Sequence, residues 1–573
     1  MNIQKTILAL AVMALGLVGC GTEEQDNGNN ISARSTSNGD QASGVVVDGP
    51  VVRGLVFLDL NDNLKKDSFE PSALTDNNGY FGSDPVKGIN YCSSTSANMT
   101  YVPRPEFCLN ISPGQLMTTL QNENNTKIII TGGYDLYTGE PFEGSMSKEM
   151  YNFKDITRIT AELNSQYKDD PEELRRRVDN INRINGLAIT PLSSIARTNS
   201  DTETFLKTLG IEDSNLNFLN PADPEGDGQA DNFQANKFAV TYQMHKFVTV
   251  VAAWVKNAYP EIGDNDELPN DVSNLVYKQF ENFHKGDFNA AWTGIYIDIT
   301  ALYQNGGVEL NAPIAGADIY ANLAAVKTAI VSAFGYNVTD GLGSELTFDN
   351  VKARVRGVEV VVLKIIRGLD HTGALEALKI PAYLTALEGN GADNGNINFT
   401  QLVEFSGDEN ALTAESALAA ANSGVSLSEL AGKSLSFEDD DPSVNSKAAI
   451  FFTSNETGDE APTKGQIHLC LKYEGDSDVD LDGNYISGSW DTIPALNNTV
   501  LLEMNIFGGT SAVLKKVGED GTGATQYRFD YANKITKFSS AEDFEVTADL
   551  ELETIPNSNE TCQDYLGISN QLK

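Results

Sequence analysis

The spacing of the apolar residues changes twice along this chain, and each change marks a different kind of structure. From Val46 onwards, short apolar runs are separated by turns rich in Gly, Pro and Asn, which is typical of short strands. The middle of the chain repeats apolar residues at helical steps, and after Gly432 apolar and polar residues alternate. The pattern predicts a multidomain α+β protein with an N-terminal β-sandwich (46–140), a central α-helical domain (141–433) and a C-terminal antiparallel β barrel or sandwich (434–573).

Three segments of the middle region are predicted to be helices. Residues 235–258 are apolar almost all round, which indicates a central helix, and their densest apolar piece is too short to span a membrane. Two further segments carry one apolar stripe each. The first stripe is Ile319, Leu323, Val326, Ile330 and Phe334, and the second is Val355, Val358, Val362, Ile365 and Leu369, with Arg354, Arg356, Lys364 and Arg367 off it.

The C-terminal strands are predicted from the alternation of apolar and polar residues. Gly-rich turns separate the segments, so a barrel or sandwich fits. The alternating residues are Ile467, Leu469, Leu471 and Tyr473, then Phe544, Val546, Ala548, Leu550 and Leu552, with further strands at 448–453, 499–506, 511–517 and 526–531.

The N-terminus has the pattern of a lipoprotein signal peptide. Lys5 precedes an apolar run that is too short to span a bilayer, and the run ends in Leu17-Val18-Gly19-Cys20. This predicts cleavage after residue 19 and attachment of diacylglycerol and palmitate-type acyl chains to the Cys20 thiol. The alternative is an ordinary signal with a chance cysteine. Residues 20–45 lack any apolar run and predict a flexible tether.

The charge of the chain excludes one class of partner. It carries 80 acidic and 40 basic side chains, for a formal net charge of −40. Such acidity repels the phosphates of nucleic acid and anionic lipid, and it suits solubility and the binding of divalent cations.

The cysteines predict two disulfides. With Cys20 assigned to lipid, Cys92 and Cys108 lie close together in sequence, and Cys470 and Cys562 lie within the C-terminal region. Disulfides persist in the oxidising compartments that exported proteins reach. The alternative is free buried thiols.

Residues 59–70 (DLNDNLKKDSFE) have the ligand spacing of a calcium-binding EF-hand loop. Oxygen-bearing side chains stand at positions 1, 3, 5, 9 and 12, and position 7 offers a backbone carbonyl. The alternative is an acidic turn. Leu64 occupies position 6, where the sharp turn normally has Gly, and two ligands are neutral amides, so the expected affinity is weak to moderate. The predicted ligands are Asp59, Asn61, Asn63, Lys65, Asp67 and Glu70.

Together with its flanks, this loop resembles a known type of module. The residues are Gly54 to Asp59, Asn61 and Asn63, then Asp67 and Glu70-Pro71, then Thr75-Asp76, Gly79 and Phe81. They are similar to the calcium-associated, prealbumin-like β-sandwiches of bacterial surface proteins, called SdrD B-like or carboxypeptidase-regulatory-like. The resemblance covers about 40 residues and implies a rigid extracellular module with bound Ca²⁺ rather than peptidase activity.

Two fainter resemblances concern location. Gly21 after the lipobox resembles the sorting position of bacterial lipoproteins, where Asp often retains a protein at the inner membrane, so the outer membrane is favoured. Thr190-Pro191-Leu192-Ser193-Ser194 is similar to a segment found in uncharacterised exported proteins of Gram-negative bacteria.

Two other acidic loops are weaker metal candidates. Asp223, Glu225, Asp227 and Asp231 have calcium-loop spacing with Gly228 at position 6, but position 12 is Gln234; the alternative is a loop that caps the following helix. Residues 476–483 carry alternating aspartates, and there a solvated hairpin is favoured over a metal loop.

Catalytic motifs of the zinc-protease, phosphate-loop, serine-hydrolase and dinucleotide types are absent from the sequence. No catalytic residue is therefore predicted. The four histidines are scattered, and His245 is read as a core residue of the 235–258 helix. Trp490, beside a strand, is the one candidate for stacking on a ligand.

These features together predict a lipid-anchored cell-envelope protein, stabilised by calcium and disulfides, in a surface binding, adhesion or structural role. Its ligand would be an extracellular glycan or protein. Two alternatives stay open at this point: an enzyme that degrades extracellular polymers, and a periplasm-facing accessory of assembly or transport.

Overall fold

The chain has strands at both ends and helices in the middle. A computed structural model describes residues 40–92, 99–122, 126–181, 184–195, 235–259, 268–305, 317–334, 336–337, 341–342, 351–388, 434–438, 447–453, 464–472, 484–493, 496–504, 510–519, 525–533 and 562. Within these ranges the protein is a mixed α+β structure, as predicted. It divides into two units, of which the first comprises residues 1–133 and 142–320 and the second comprises 134–141 and 321–573.

The first unit begins with short strands. The strands of this unit are β1 (Asp40–Ala42), β2 (Gly44–Val46), β3 (Val51–Val52), β4 (Leu55–Asp59), β5 (Ser72–Leu74), β6 (Tyr80–Phe81), β7 (Ser83–Asp84), β8 (Ile89–Asn90), β9 (Thr100–Tyr101), β10 (Leu109–Ile111), β11 (Lys127–Thr131), β13 (Ser145–Glu149) and β14 (Leu187–Ile189). A four-stranded sheet has the order β13-β11-β4-β5, and β14, β2 and β6 form a three-stranded sheet in which β2 and β14 run parallel.

Most of these strands contribute to one apolar core, and a smaller cluster contains Leu74, Tyr91 and Phe107. Val56 and Leu58 of β4 and Ile128 and Ile130 of β11 are fully buried in the larger core, because alternate residues of a strand face the same side. The strand system extends past residue 140, where the sequence suggested a boundary. β13 pairs with β11 and β14 with β2, so residues up to 189 complete the N-terminal sheets.

The first unit also contains helices. The helices are α1 (Pro113–Gln121), α2 (Phe153–Gln166), α3 (Pro171–Ile181), α4 (Pro191–Ile195), α5 (Ala235–Ala258), α6 (Leu268–Lys278), α7 (Phe280–Lys285) and α8 (Phe288–Asn305), followed by α9 (Ala317–Phe334), whose residues from Ala321 belong to the second unit. The central helix α5 coincides with the predicted 235–258 segment and packs against α6, which packs against α8. No helix within the described ranges is long and apolar enough to cross a membrane.

The helices of the second unit bury the predicted stripes. All five stripe residues of α9 are buried, and so are the four residues of the second stripe that lie on α10 (Val351–Ile366), whereas Leu369 follows that helix and is half-buried. Arg356 and Lys364, which sequence reasoning placed off the stripe, are buried as well, because α11 and α12 also pack on α10. The elements here are β12 (Tyr134–Asp135), β15 (Tyr336–Asn337), β16 (Gly341–Leu342), α10 (Val351–Ile366), α11 (Thr372–Ala377) and α12 (Pro381–Glu388).

A seven-stranded antiparallel sheet follows, with its strands in sequence order. Each strand pairs with the next, and the described strands form an open sheet rather than a closed barrel. The predicted strand from Phe544 to Leu552 lies outside the described residues. The strands are β17 (Ser434–Glu438), β18 (Lys447–Thr453), β19 (Lys464–Lys472), β20 (Asn484–Ile493), β21 (Leu496–Met504), β22 (Thr510–Glu519) and β23 (Thr525–Asn533).

Both predicted disulfides are confirmed. Cys92 is bonded to Cys108 with an S–S distance of 2.01 Å, and Cys470 is bonded to Cys562 at 1.93 Å. The second bond joins β19 to a buried cysteine 92 residues further on, and it packs against Phe451 of β18.

Candidate functional site

The loop at residues 59–70 connects β4 to β5, and its two end carboxylates are buried. Asp59 is the last residue of β4 and is fully buried, and Glu70 is only 4% exposed. The Asp59 carboxylate accepts hydrogen bonds from the backbone N–H of Asn63 (3.2 Å) and Leu64 (3.0 Å). The Glu70 carboxylate accepts from Leu60 (2.7 Å) and Asp67 (3.0 Å). Both ends of the loop are therefore tied inwards.

The backbone of the loop turns where a calcium loop would turn. Leu64, at position 6, has a φ of 63°, in the left-handed region that normally favours Gly. A non-glycine residue there costs about 1–2 kcal/mol, so the surrounding hydrogen bonds must hold it. Leu64 departs from the calcium-loop pattern, which normally has Gly at position 6, but its backbone adopts the left-handed conformation that Gly would take there.

The middle side chains of the loop converge on one oxygen. The amide groups of Asn61 and Asn63 both donate to Oδ2 of Asp67, at 2.8 and 2.9 Å. Two amide N–H donors therefore lie next to this carboxylate oxygen, where a bound cation would otherwise lie. The amide oxygens of Asn61 and Asn63 accept from the backbone N–H groups of Asn63 (3.3 Å) and Lys65 (2.9 Å), respectively.

Burial alters the titration of the two end carboxyls. It raises the pKa of Asp59 above its ordinary value, although the N–H groups of Leu64 and Asn63 oppose the shift. It also raises the pKa of Glu70, against the N–H groups of Asp67 and Leu60. A carboxylate with a raised pKa destabilises the fold at neutral pH, and a nearby cation would remove that cost.

The predicted ligands of the loop carry oxygen atoms of the kind that hard cations prefer, and in this structure those side chains are hydrogen-bonded within the loop. Asp59, Asp67 and Glu70 supply carboxylate oxygens that each keep a further lone pair, and Asn61 and Asn63 supply amide oxygens. Lys65, whose carbonyl is the predicted position-7 ligand, has its N–H bonded to Asn63 Oδ1 at 2.9 Å, so its backbone faces the same turn. Across the described ranges, no three His, Cys, Asp or Glu side chains converge as a metal cluster.

The structure adds a buried polar network that sequence reasoning missed. Asp48 Oδ2 lies 3.7 Å from His245 Nε2 and 3.4 Å from Lys246 Nζ, and His245 Nδ1 lies 3.4 Å from the hydroxyl of Tyr277. Tyr277 in turn is hydrogen-bonded to Ser194. The sequence features that belong to this network are the Asp48-Gly-Pro turn and the segment from Thr190 to Ser194. Their spacing in the sequence does not show that they meet against α5 and α6.

The network fastens the helices to the N-terminal sheet. Ser194 Oγ accepts from the N–H of Ser147 at 2.8 Å, so α4 is bonded to β13. His245 stacks on Phe142 with ring centroids 4.5 Å apart, which fits its interpretation as a core residue. The side chains of Asp48, Ser194, His245, Lys246 and Tyr277 are buried, so the network is an internal connection between the helices and the sheet.

The charge state of His245 makes the first unit sensitive to acid. Burial, with a further contribution from Lys246, lowers the pKa of His245 well below its ordinary value of 6.5. As pH falls below 6.5, the unfolded chain takes up a proton that folded His245 does not. Stability is therefore lost as pH falls, by up to about 2 kcal/mol between pH 6.5 and 5. Asp48, Lys246 and Tyr277 face the His245 ring, and the variant used to test this pH dependence leaves all three unchanged.

The test is to compare wild type with His245→Gln by urea unfolding at pH 7.5 and pH 5. We expect the wild type to lose more stability than the variant between the two values. Equal losses would assign the acid sensitivity to other groups.

Trp490 is placed differently from the sequence-based expectation of a stacking residue. It is 1% exposed, its Nε1 donates to the carbonyl of Thr453 at 2.8 Å, and its ring contacts Phe452 edge-on. Gly465 lies opposite on β19, and a Cβ there would come within 2.5 Å of the indole nitrogen. The missing side chain at Gly465 makes room for the indole, so Trp490 packs on the sheet instead of presenting a face to solvent.

The remaining predicted site residues lie outside the part of the chain that the structure describes. These are the lipidation residue Cys20, the second acidic loop with Asp223, Glu225, Asp227 and Asp231, and the third loop at 476–483. Comparisons with protein-family models, with curated proteins and with solved structures found no match for this chain.

Proposed function

We propose that this chain is a cell-envelope lipoprotein that is anchored in the outer membrane through Cys20 and exposed at the cell surface. Its N-terminal strands would form a β-sandwich module of the SdrD B-like type, stiffened by Ca²⁺ in the 59–70 loop. The chain would serve in binding or adhesion to an extracellular glycan or protein, or in a structural role.

The observation that carries the proposal is the geometry of the 59–70 loop. Two buried carboxylates, Asp59 and Glu70, close the loop from both ends, and the turn at Leu64 is left-handed. Burial raises the pKa of both carboxyl groups, and a cation in the loop would stabilise their charged forms. Such a weak extracellular site rigidifies a domain where calcium is abundant.

Two other observations support export. Both disulfides pair cysteines in the way that oxidising compartments allow. The acidic composition, with 80 acidic against 40 basic side chains, favours solubility and cation binding outside the cell.

The anchor and the orientation are tested with Cys20→Ser in cells. We expect wild type to fractionate with the outer membrane and to be cleaved by protease added to intact cells, because it is held at the surface by its acyl chains. We expect Cys20→Ser to leave the membrane fraction. An uncut wild-type protein would place the chain on the periplasmic side and would overturn the surface role.

The calcium site is tested with the double variant Asp59→Ala and Glu70→Ala of the mature chain. At 10 mM Ca²⁺ and a dissociation constant of about 0.1–1 mM, binding should add about 1.5–3 kcal/mol to the wild-type stability. The double variant should gain almost nothing. The measurement is the thermal midpoint of the first unit with Ca²⁺ and with a chelator.

Asp62→Ala is the matched control. Asp62 lies in the same loop at position 4, which is not a ligand position, and its carboxylate is 2.8 Å from Lys127 Nζ. This variant loses an acidic side chain but should keep the calcium response. A wild-type midpoint that does not change with Ca²⁺ would rule out the site.

A further inference from the structure

An amine and a carboxylate meet in the interior of the first unit. Lys246 Nζ lies 3.4 Å from Asp48 Oδ2, and the two side chains are 7% and 2% exposed. A surface pair of the same unit, Lys127 and Asp62, has a shorter contact of 2.8 Å, but its side chains are 20% and 38% exposed. The buried pair is therefore shielded from solvent in a way that the surface pair is not.

The fold holds both members of the buried pair in place. Asp48 lies in the turn between β2 and β3, and the N–H of its neighbour Val47 donates to the carbonyl of Ile189 at 3.0 Å. Val47 also pairs with Pro50 in an isolated bridge, so the turn is closed around Asp48. Lys246 lies in the middle of α5. The contact thus joins two fixed segments that are far apart in the sequence.

Aromatic rings surround the pair. The ring of Tyr242 lies 4.8 Å from Lys246 Nζ, and Tyr277 lies near Asp48. Placing a carboxylate and an ammonium group in such surroundings costs free energy even when they are paired, because both leave water. An amide between the two side chains carries no charge, so its formation removes that cost. Exclusion of water also removes the reactant that would hydrolyse the amide.

The positions of the atoms suit a reaction between the two groups. Reacting atoms that are held about 3–3.5 Å apart react as parts of one molecule, without the entropy cost of an encounter. The Asp48 carboxyl oxygen nearest to Lys246 Nζ is at the upper end of this range. His245 Nε2 lies 3.7 Å from the same oxygen, on a ring that is uncharged at neutral pH, and this ring is placed to carry a proton between the two groups.

We propose that Asp48 and Lys246 condense to an intramolecular amide bond that links the turn between β2 and β3 to α5. The nitrogen lone pair of Lys246 forms a bond to Cγ of Asp48, and one C–O bond of the carboxyl group breaks. Starting from ammonium and carboxylate, two of the three ammonium protons leave with that oxygen as water, and the third stays on the amide nitrogen. The reaction needs no oxidant, reductant or further reactant.

The bond fastens the helices of the first unit to its N-terminal sheets covalently. Unlike the two disulfides, it is not opened by reductants. The His245 ring stays buried beside it, and burial is the main cause of its lowered pKa, so the acid sensitivity described above is retained.

The test is mass spectrometry of the chain from residue 20 to 573 with Cys20→Ser, which removes the lipid from the measured mass. After complete reduction and unfolding, we expect a mass that is lower than that of the sequence by one water molecule. Trypsin should release a branched peptide in which the segment containing Asp48 is joined to the segment containing Lys246. The full sequence mass, with the two segments recovered as separate linear peptides, would overturn the proposal.

Lys246→Arg is the matched control, because arginine keeps the positive charge but cannot form this amide. We expect this variant to have the full sequence mass. Asp48 is followed by Gly49, and cyclisation of Asp48 onto the backbone of Gly49 would also release one water molecule. A loss of water that persists in Lys246→Arg, with only linear peptides, would assign the loss to that cyclisation and reject the cross-link.

The surface pair of Asp62 and Lys127 is the internal control in the same digest. Since both of its side chains are in contact with solvent, we expect only linear peptides from these two positions. A branched peptide at positions 62 and 127 as abundant as that at positions 48 and 246 would show that burial does not direct the reaction, and it would overturn the proposal.

Discussion

Replacing Cys470 and Cys562 by alanine is expected to lower the free energy of unfolding of the second unit by about 4–5 kcal/mol, the largest loss we predict. The disulfide closes a separation of 92 residues, and in the chain-entropy model the stabilisation grows with the length of the closed loop. Both cysteines are fully buried beside Phe451. Alanine keeps the site apolar, so the loss reports the cross-link and a small cavity. The measurement is urea unfolding under oxidising conditions.

The second disulfide provides the comparison. Cys92 and Cys108 are only 16 residues apart, so the alanine pair at these positions should cost about 3 kcal/mol and should act on the first unit. Reduction of wild type should reproduce both losses. If the 470–562 pair cost less than the 92–108 pair, loop length would not be the source of the stabilisation.

Arg356→Met is expected to destabilise the second unit by about 3–5 kcal/mol. The guanidinium is fully buried in α10, where Nε donates to the carbonyl of Tyr137 at 2.7 Å and Nη1 to that of Leu387 at 2.8 Å. Methionine fills much of the volume but leaves both carbonyls without these donors, and buried Asp135 loses its positive neighbour. The measurement is chemical unfolding of the full chain at pH 7.

The charge of Arg356 is retained at that pH. Burial lowers its pKa to about 9, and Asp135 and Tyr137 oppose the shift, so the group is still protonated at pH 7. Arg367→Met is the matched control because Arg367 is exposed just after the same helix, and it should change stability by less than about 0.5 kcal/mol. Equal effects of the two substitutions would show that the buried hydrogen bonds carry no net stability.

The sequence predicted those helices whose residue pattern lies within a single segment of the chain. The α9 stripe from Ile319 to Phe334 and the apolar segment 235–258 became helices because their periodicity can be satisfied within one element. The order of residues from Asp59 to Glu70 also anticipated a loop closed by two carboxylates, although Ca²⁺ in that loop stays a prediction. Both cysteine pairings were predicted because exclusion of Cys20 left two plausible pairs.

Features made by distant residues could not be read in this way. Arg356 was placed off the stripe because its acceptors, Tyr137 and Leu387, lie 219 and 31 residues away. Trp490 was a candidate for ligand stacking, and its burial could not be predicted because the space left by Gly465 opposite it depends on strand register. The buried polar network of Asp48, His245 and Tyr277 is formed by residues from three separate segments of the chain.

The sequence by itself therefore determined the order of strand, helix and strand regions, the two disulfides and the loop with calcium-ligand spacing. Tertiary structure alone decided that β13 and β14 complete the N-terminal sheets, that Arg356 is buried and Trp490 is covered, and that Asp48 lies next to Lys246. The physical reason is that periodicity and ligand spacing act over a few residues, whereas burial depends on which remote side chains and backbone groups are packed against a residue.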